Sequence, residues 1–308
     1  MVAGMEAILA EGLTKIYGGD VHRPPALRDV TLSIPRGQIF GLIGRNGAGK
    51  TTFLRIAATQ LLPTAGRLTV LGHDVVAEAT AIREDVAVIP QESRPIYYLT
   101  PLEHVYYYLL MRGFPKAEAR ARAREALDHL GLSDRERQLV RKLSGGLRRR
   151  VLVAMALASD APLMFLDEPT TGLDPLARRD VWQAIKAAAG AKKTVVLTTH
   201  YMEEAEILSD RMAILDEGVV KAVGDLQDLV AKVRFPFRVS VQGGGLRPEV
   251  LGAYGPTSRA GDRYVVFTDR HGAEELTKRA LEKRLRAVAG PVTLEDVFVQ
   301  LVGKEAEA

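Results

Sequence analysis

A chain of 308 residues, 47% hydrophobic and 26% charged, has the composition of a folded protein with room for one large and one smaller domain, which excludes wholesale disorder. It has no cysteine, so disulfides, thiolate zinc sites and iron–sulfur clusters are excluded. The net charge of +4 is spread along the chain, and the arginine clusters at 119–124 and 148–150 read as solvated helix faces, so no nucleic-acid partner is expected.

No apolar run approaches the roughly 20 residues that cross a bilayer. The best candidate, residues 151–158, is far shorter and follows three arginines. The amino terminus, MVAGMEAILAEG, contains acids and lacks a charged lead before an apolar stretch, so the chain is expected in the cytoplasm.

Residues 5–233 read as alternating strands and helices, an α/β pattern. Ile39–Ile43 predicts a strand that enters a glycine-rich turn, followed by a helix over 51–58. Val86–Ile89 predicts another strand. From 101 the pattern turns helical, with Leu102, Val105, Tyr106 and Leu109 at helical spacing and an Arg/Ala/Glu-rich stretch at 116–130. A helical insertion over about 95–158 follows from this. The short apolar runs 164–167 and 194–198 predict buried parallel strands. RFPFR at 234–238 breaks the pattern, and 236–308 reads as a small α+β domain. It reads in order as a strand (238–242), a helix, a strand (264–268), a helix (273–285), a further strand and a helix (293–303).

Gly44-Arg45-Asn46-Gly47-Ala48-Gly49-Lys50-Thr51 fits the phosphate-loop pattern between a strand and a helix. Glycines let backbone N–H groups close on phosphate oxygens, and the helix start adds positive partial charge. Lys50 is expected on the β- and γ-phosphates, Thr51 on Mg²⁺ and Thr52 on the α-phosphate. The strand LMFLDE ends in Asp167 and Glu168. Ligands gather at the carboxyl ends of such strands. Asp167 is expected to hold Mg²⁺, and Glu168 to orient or deprotonate the water that attacks the γ-phosphate. No guanine-reading N-K-x-D is evident, which favours ATP.

Leu143-Ser144-Gly145-Gly146-Leu147-Arg148-Arg149-Arg150 follows the helical insertion. With this segment in place the chain resembles an ABC-transporter ATP-binding cassette: a P-loop NTPase with a mixed sheet lobe and a helical insertion, here followed by the α+β domain. The resemblance covers about 200 residues. It implies that Ser144, Gly145 and Gly146 close over the γ-phosphate held by a second, head-to-tail copy. It places Tyr17 on adenine, although the stretch GGDVHRPP after it is longer than usual. It implies that Gln91 links Mg²⁺ or the attacking water to the insertion, that Asp174 runs across the dimer seam, and that His200 bonds the γ-phosphate. Leu147 stands where the family commonly has Gln, and Arg45 where it commonly has Pro.

The resemblance further implies an integral-membrane permease as partner. The tyrosine-rich stretch 93–108 is the expected dock on the inner face of the membrane, with core packing as the competing reading for its tyrosines. The triple arginine and Leu294-Glu295-Asp296-Val297-Phe298 resemble exporters of drugs, polysaccharides or lipids. The rival readings are a soluble ABC ATPase acting on ribosomes or nucleic acid, and an importer ATPase.

Overall fold

The computed structural model describes residues 6–18, 24–190, 193–242 and 246–302. The first five residues, positions 19–23 of GGDVHRPP and position 303 of the last expected helix lie outside the described residues. The chain divides into two compact units, Met1–Ala222 and Val223–Ala308.

The first unit opens with β1 (Glu6–Lys15) and β2 (Leu27–Pro35). In β2, Leu27, Val30, Leu32 and Ile34 are buried between exposed polar residues, the alternation of a strand with one wet face. β3 (Ile39–Ile43) is buried at every position and leads through the glycine loop to α1 (Lys50–Ala57). β4 (Ala65–Val70), β5 (His73–Asp74), α2 (Ala79–Asp85) and β6 (Val86–Ile89) follow. The helical insertion comprises α3 (Pro101–Met111), α4 (Lys116–His129) and α5 (Gly145–Ala158). The chain then returns through β7 (Leu163–Asp167), α6 (Pro175–Gly190), β8 (Thr194–Thr199), α7 (Met202–Leu208), β9 (Arg211–Asp216) and β10 (Val219–Gly224).

These strands form two sheets. One is antiparallel in the order β2-β1-β4-β5; the other has six strands in the order β10-β9-β3-β8-β7-β6. Its β9, β3, β8, β7 and β6 run parallel, so their carboxyl ends share one edge. The pairs Ile43↔Thr199, Asp167↔Thr198 and Ile89↔Leu166 bring four strand ends level.

The insertion packs on itself through Val105 and Leu109 of α3, Ala119, Ala123 and Leu127 of α4, and Val151 and Val153 of α5. α3 starts at a capping box: the Thr100 hydroxyl accepts the Glu103 N–H, and the Glu103 carboxylate accepts the Thr100 N–H. On α4, Arg120 and Arg124 are exposed, as expected of a solvated face. The 148–150 cluster departs from that expectation, because Arg149 is buried at 9% exposure. Among the tyrosines, Tyr97, Tyr98 and Tyr107 are exposed, while Tyr106 and Tyr108 pack against the core.

The second unit contains α8 (Leu226–Ala231), β11 (Phe237–Gln242), α9 (Pro248–Gly252), β12 (Thr257–Ala260), β13 (Arg263–Thr268), α10 (Arg270–Glu282), β14 (Arg286–Pro291) and α11 (Leu294–Val302). The sequence expectation omitted the short β12. The sheet is antiparallel, in the order β12-β13-β11-β14, and Val239, Val241, Val266, Leu276 and Ala280 form its core. α8 belongs to this unit, where it packs with α11, so the division falls ahead of the break expected at 234–238. No helix among the described residues is long and apolar enough to cross a membrane.

Candidate functional site

Four loops leave the level ends of β3, β8, β7 and β6, and they carry Lys50, His200, Glu168 and Gln91 in that spatial order. The glycine loop depends on two glycines for different reasons. Gly49, at the start of α1, has φ 103, and an added Cβ would lie 2.5 Å from the Ala26 carbonyl oxygen. At Gly44 a Cβ would lie 2.3 Å from the Leu215 oxygen, so the chain passes too close for any side chain.

Lys50 is 4% exposed, and its Nζ donates to the carbonyl oxygens of Gly44 (2.7 Å) and Arg45 (3.0 Å). Burial pushes its ammonium below the usual lysine range, while the charges of Glu168 and Asp167 act in the opposite sense. A cavity of about 270 Å³ is lined by Asn46, Gly47, Ala48, Gly49, Lys50, Thr51, Thr52, Gln91 and Glu168, together with Ala26. A second cavity, of about 750 Å³, is lined by Tyr17, Pro24, Pro25, Ala26, Arg28, Gly47 and Glu217. Tyr17 is half exposed, and its hydroxyl lies 3.2 Å from the Thr52 hydroxyl. The aromatic ring therefore sits beside the phosphate loop.

The two acids after β7 occupy different surroundings. Asp167 Oδ1 accepts from the Thr51 hydroxyl (3.2 Å) and, through a short bond, from the Thr198 hydroxyl. Glu168 adopts φ 49, a left-handed conformation that costs a non-glycine residue about 1–3 kcal/mol. Its N–H is held by the Thr198 hydroxyl (3.0 Å) and the Thr198 carbonyl (3.2 Å). Its carboxylate Oε2 accepts from Gln91 Nε2 (3.1 Å) and the Thr171 hydroxyl (3.0 Å). His200 Nδ1 lies 3.2 Å from Oε1 but off the line a hydrogen bond needs. One carboxylate oxygen of Glu168 is thus fixed by neutral donors, and the other faces an imidazole.

Ser144 and Gly145 are exposed at the start of α5, and the Ser144 hydroxyl accepts the Leu147 N–H at 3.3 Å. Gly146, half-buried, meets Leu173, against which a Cβ would press at 3.2 Å. Asp174 caps α6: its Oδ1 accepts from Leu176 N and Ala177 N, both at 3.0 Å. The Ala177 N–H above all holds its carboxyl below the usual carboxylate range.

Among the expected residues, Lys50, Thr51, Thr52, Gln91, Asp167, Glu168 and His200 are brought together with Gly47, Ala48 and Gly49, and Ser144, Gly145 and Asp174 present exposed groups on separate helix starts. Sequence reasoning missed Thr198, Thr171 and Arg149. Thr198 was legible only as part of a buried run, and Arg149 only as one of three adjacent arginines.

The ABC transporter family model matches residues 27–171. The daunorubicin/doxorubicin resistance ATP-binding protein DrrA of Streptomyces peucetius is 41% identical over 223 residues, which are 72% of this chain and 66% of that protein. The Nod factor export ATP-binding protein I of Cupriavidus pinatubonensis is 36% identical over 309 residues, covering 99% of this chain and 93% of the relative. A solved dimeric ATP-binding cassette in a post-hydrolysis state, bound to ADP and Pi, superposes with TM-score 0.65 at 30% identity, over 71% of this chain and 98% of that one. A solved ATP-binding subunit of an ABC transporter gives TM-score 0.65 at 29% identity, over 73% and 92%. Likeness that runs nearly end to end in a full-length relative, together with a shared cassette fold, shows that the chain belongs to the ABC transporter ATP-binding subunits, a family of ATPases.

Proposed function

We propose that this subunit hydrolyses ATP held between its own phosphate loop and the Ser144-Gly145-Gly146 turn of a second, identical copy packed head to tail. Closure of that dimer drives export through a separate integral-membrane permease, from the cytoplasmic face of the membrane. One observation carries the reading: Lys50, Asp167, Glu168, Gln91 and His200 stand on four adjacent strand ends, with the phosphate-loop cavity bounded by Lys50, Gln91 and Glu168. Lys50 and the N–H groups of residues 47–52 bind the phosphates, and Tyr17 stacks on adenine in the adjoining cavity.

The donor chemistry fits Mg²⁺. The Thr51 hydroxyl and the Asp167 carboxylate converge within 3.2 Å, hard oxygens of the kind this ion takes alongside water and phosphate. Thr51, Asp167 and Gln91 would hold the ion, which when bound would supply charge neutralisation at the phosphates. Glu168, with Oε2 fixed by Gln91 and Thr171, orients the attacking water through Oε1 and receives its proton there. His200 supports the γ-phosphate, and Asp174 reaches the dimer seam while capping its own helix.

Two observations support the permease and the direction of transport. Ile96 (61% exposed) and Tyr98 (76%) stand beside the exposed Tyr97 on the loop that leads from Gln91 into α3, an apolar face suited to a membrane subunit. The relatives include proteins named for drug resistance and for Nod factor export. The open four-stranded sheet of the second unit is not the β-barrel of sugar importers.

Glu168→Gln keeps the size and hydrogen-bonding reach of the side chain but loses its charge. It should retain ATP binding, lower turnover by about 100-fold or more, and elute as a dimer in the presence of ATP. Near-normal turnover in that variant would refute the role given to Glu168.

A further inference from the structure

We infer that Arg149 is a positioning residue for hydrolysis: from the helix that begins at Ser144, it sets the backbone of both Gln91 and Glu168 and so aligns the pair that handles the attacking water. The inference rests on the role proposed for Glu168.

β6 and β7 pair in parallel as far as Ile89↔Leu166. Beyond that point lie Pro90 and Pro169, which have no N–H to donate, so the ladder stops; the Ser93 and Thr171 N–H groups reach the carbonyls of Pro90 (3.2 Å) and Glu168 (3.3 Å), and further donors are needed across the gap between the two segments. Arg149 supplies them. Its Nη1 donates to the oxygens of Pro90 (3.2 Å) and Gln91 (3.1 Å). Its Nη2 donates to those of Asp167 (2.6 Å) and Glu168 (2.9 Å), and its Nε to that of Pro169 (3.2 Å).

A guanidinium has five N–H bonds in a rigid planar fork, and here five carbonyls receive them. None of these acceptors is a carboxylate, so the side chain acts as a spacer between two loops rather than as an ion pair.

The consequence for catalysis is geometric. The Gln91 amide holds Glu168 Oε2, and the backbone carbonyls of both residues sit on Nη1 and Nη2 of the same guanidinium. Glu168 also holds φ 49, with its N–H fixed by Thr198 and its carbonyl accepting from Arg149 Nη2 (2.9 Å) and, at the longer 3.3 Å, from the Thr171 N–H. Without Arg149 that carbonyl keeps only the longer Thr171 bond among those described, and the strained residue gains room to shift its carboxylate. A misplacement of about 1 Å in such a group costs on the order of 100-fold in rate. The phosphate loop receives none of these five bonds, so nucleotide affinity should be spared.

The test uses the full-length chain and compares Arg149→Lys and Arg149→Gln with wild type for ATPase kcat, KM for ATP and Kd for ADP. Lysine keeps the charge, but its single ammonium cannot span both loops. The expected result is a fall in kcat of at least about 30-fold in both variants, with KM and Kd within about threefold of wild type. A variant kcat within about threefold of wild type overturns the inference, as does a loss of ADP affinity in proportion to the loss of rate, which a merely structural role would produce. Should Arg149→Gln fail to fold, Arg149→Lys decides alone. Glu168→Gln measured in parallel separates the two ideas: if it abolishes turnover while Arg149→Lys does not impair it, only the positioning role fails.

Discussion

Thr198 shows how much of the site depends on a residue that lines neither of its two cavities. It is fully buried, its hydroxyl donates to Asp167 Oδ1, and its own Oγ1 accepts the Glu168 N–H. One hydroxyl therefore aligns the two neighbouring acids, holding one by its side chain and the other by its backbone. Thr198→Val keeps the shape and removes both bonds. It should destabilise the protein by about 1–3 kcal/mol, because a buried donor and a buried acceptor each lose a partner. It should also lower kcat by tenfold or more with ATP affinity preserved. Urea unfolding and steady-state ATPase assays check the two parts separately. A stability change without a rate change would make Thr198 a core residue only.

At the scale of elements, α3 connects the exposed apolar loop to the core of the insertion. His104 on its first turn is buried at 6% exposure, and its Nε2 donates to the Ile96 carbonyl oxygen at 3.1 Å. Burial lowers its pKa from the ordinary 6.5, with the Ile96 bond and the Glu103 charge acting the other way. As pH falls below about 6.5, the unfolded chain takes up a proton at this position and the folded chain does not. The stabilisation present above that pH is therefore lost on acidification, until the folded-state pKa is reached. His104→Gln, which can still donate to Ile96, should show a smaller loss of stability between about pH 8 and about pH 5.5 than wild type. Equal losses in both proteins would show that titration of His104 contributes nothing to the acid response. The Thr100–Glu103 capping box fixes the start of the same helix, and the His104–Ile96 bond ties the exposed loop to it.

For the whole molecule, ligand binding and stability are linked. A nucleotide at 100 times its Kd stabilises the folded state by about 2.7 kcal/mol, which raises the melting temperature measurably. Lys50→Ala removes the buried cation proposed to bind the phosphates and should abolish the ATP-dependent shift, while leaving the nucleotide-free melting temperature close to wild type. An undiminished shift would place the triphosphate elsewhere. The two units keep separate apolar cores, one built on the parallel sheet and the insertion, the other on Val239, Val266 and Leu276. Every strand end of the proposed catalytic site belongs to the first.

What the sequence determined by itself was local. Glycines at 44, 47 and 49, an apolar strand ending in two acids, and a Ser-Gly-Gly helix start each follow from the backbone freedom, burial or capping of a few consecutive residues. The helices of the insertion were legible for the same reason, through apolar spacing such as Leu102, Val105 and Leu109. The strand order β3-β8-β7-β6 was decided only by the tertiary structure, because crossovers of dozens of residues choose which strands become neighbours. That order sets Lys50, His200, Glu168 and Gln91 side by side. Arg149 is the clearest case of the difference. In sequence it is one of three arginines on a helix, and nothing local separates it from Arg148 and Arg150, which the structure leaves only partly buried. Its burial is stabilised by five carbonyls from two distant segments, 90–91 and 167–169, and only the packed chain brings donor and acceptors together.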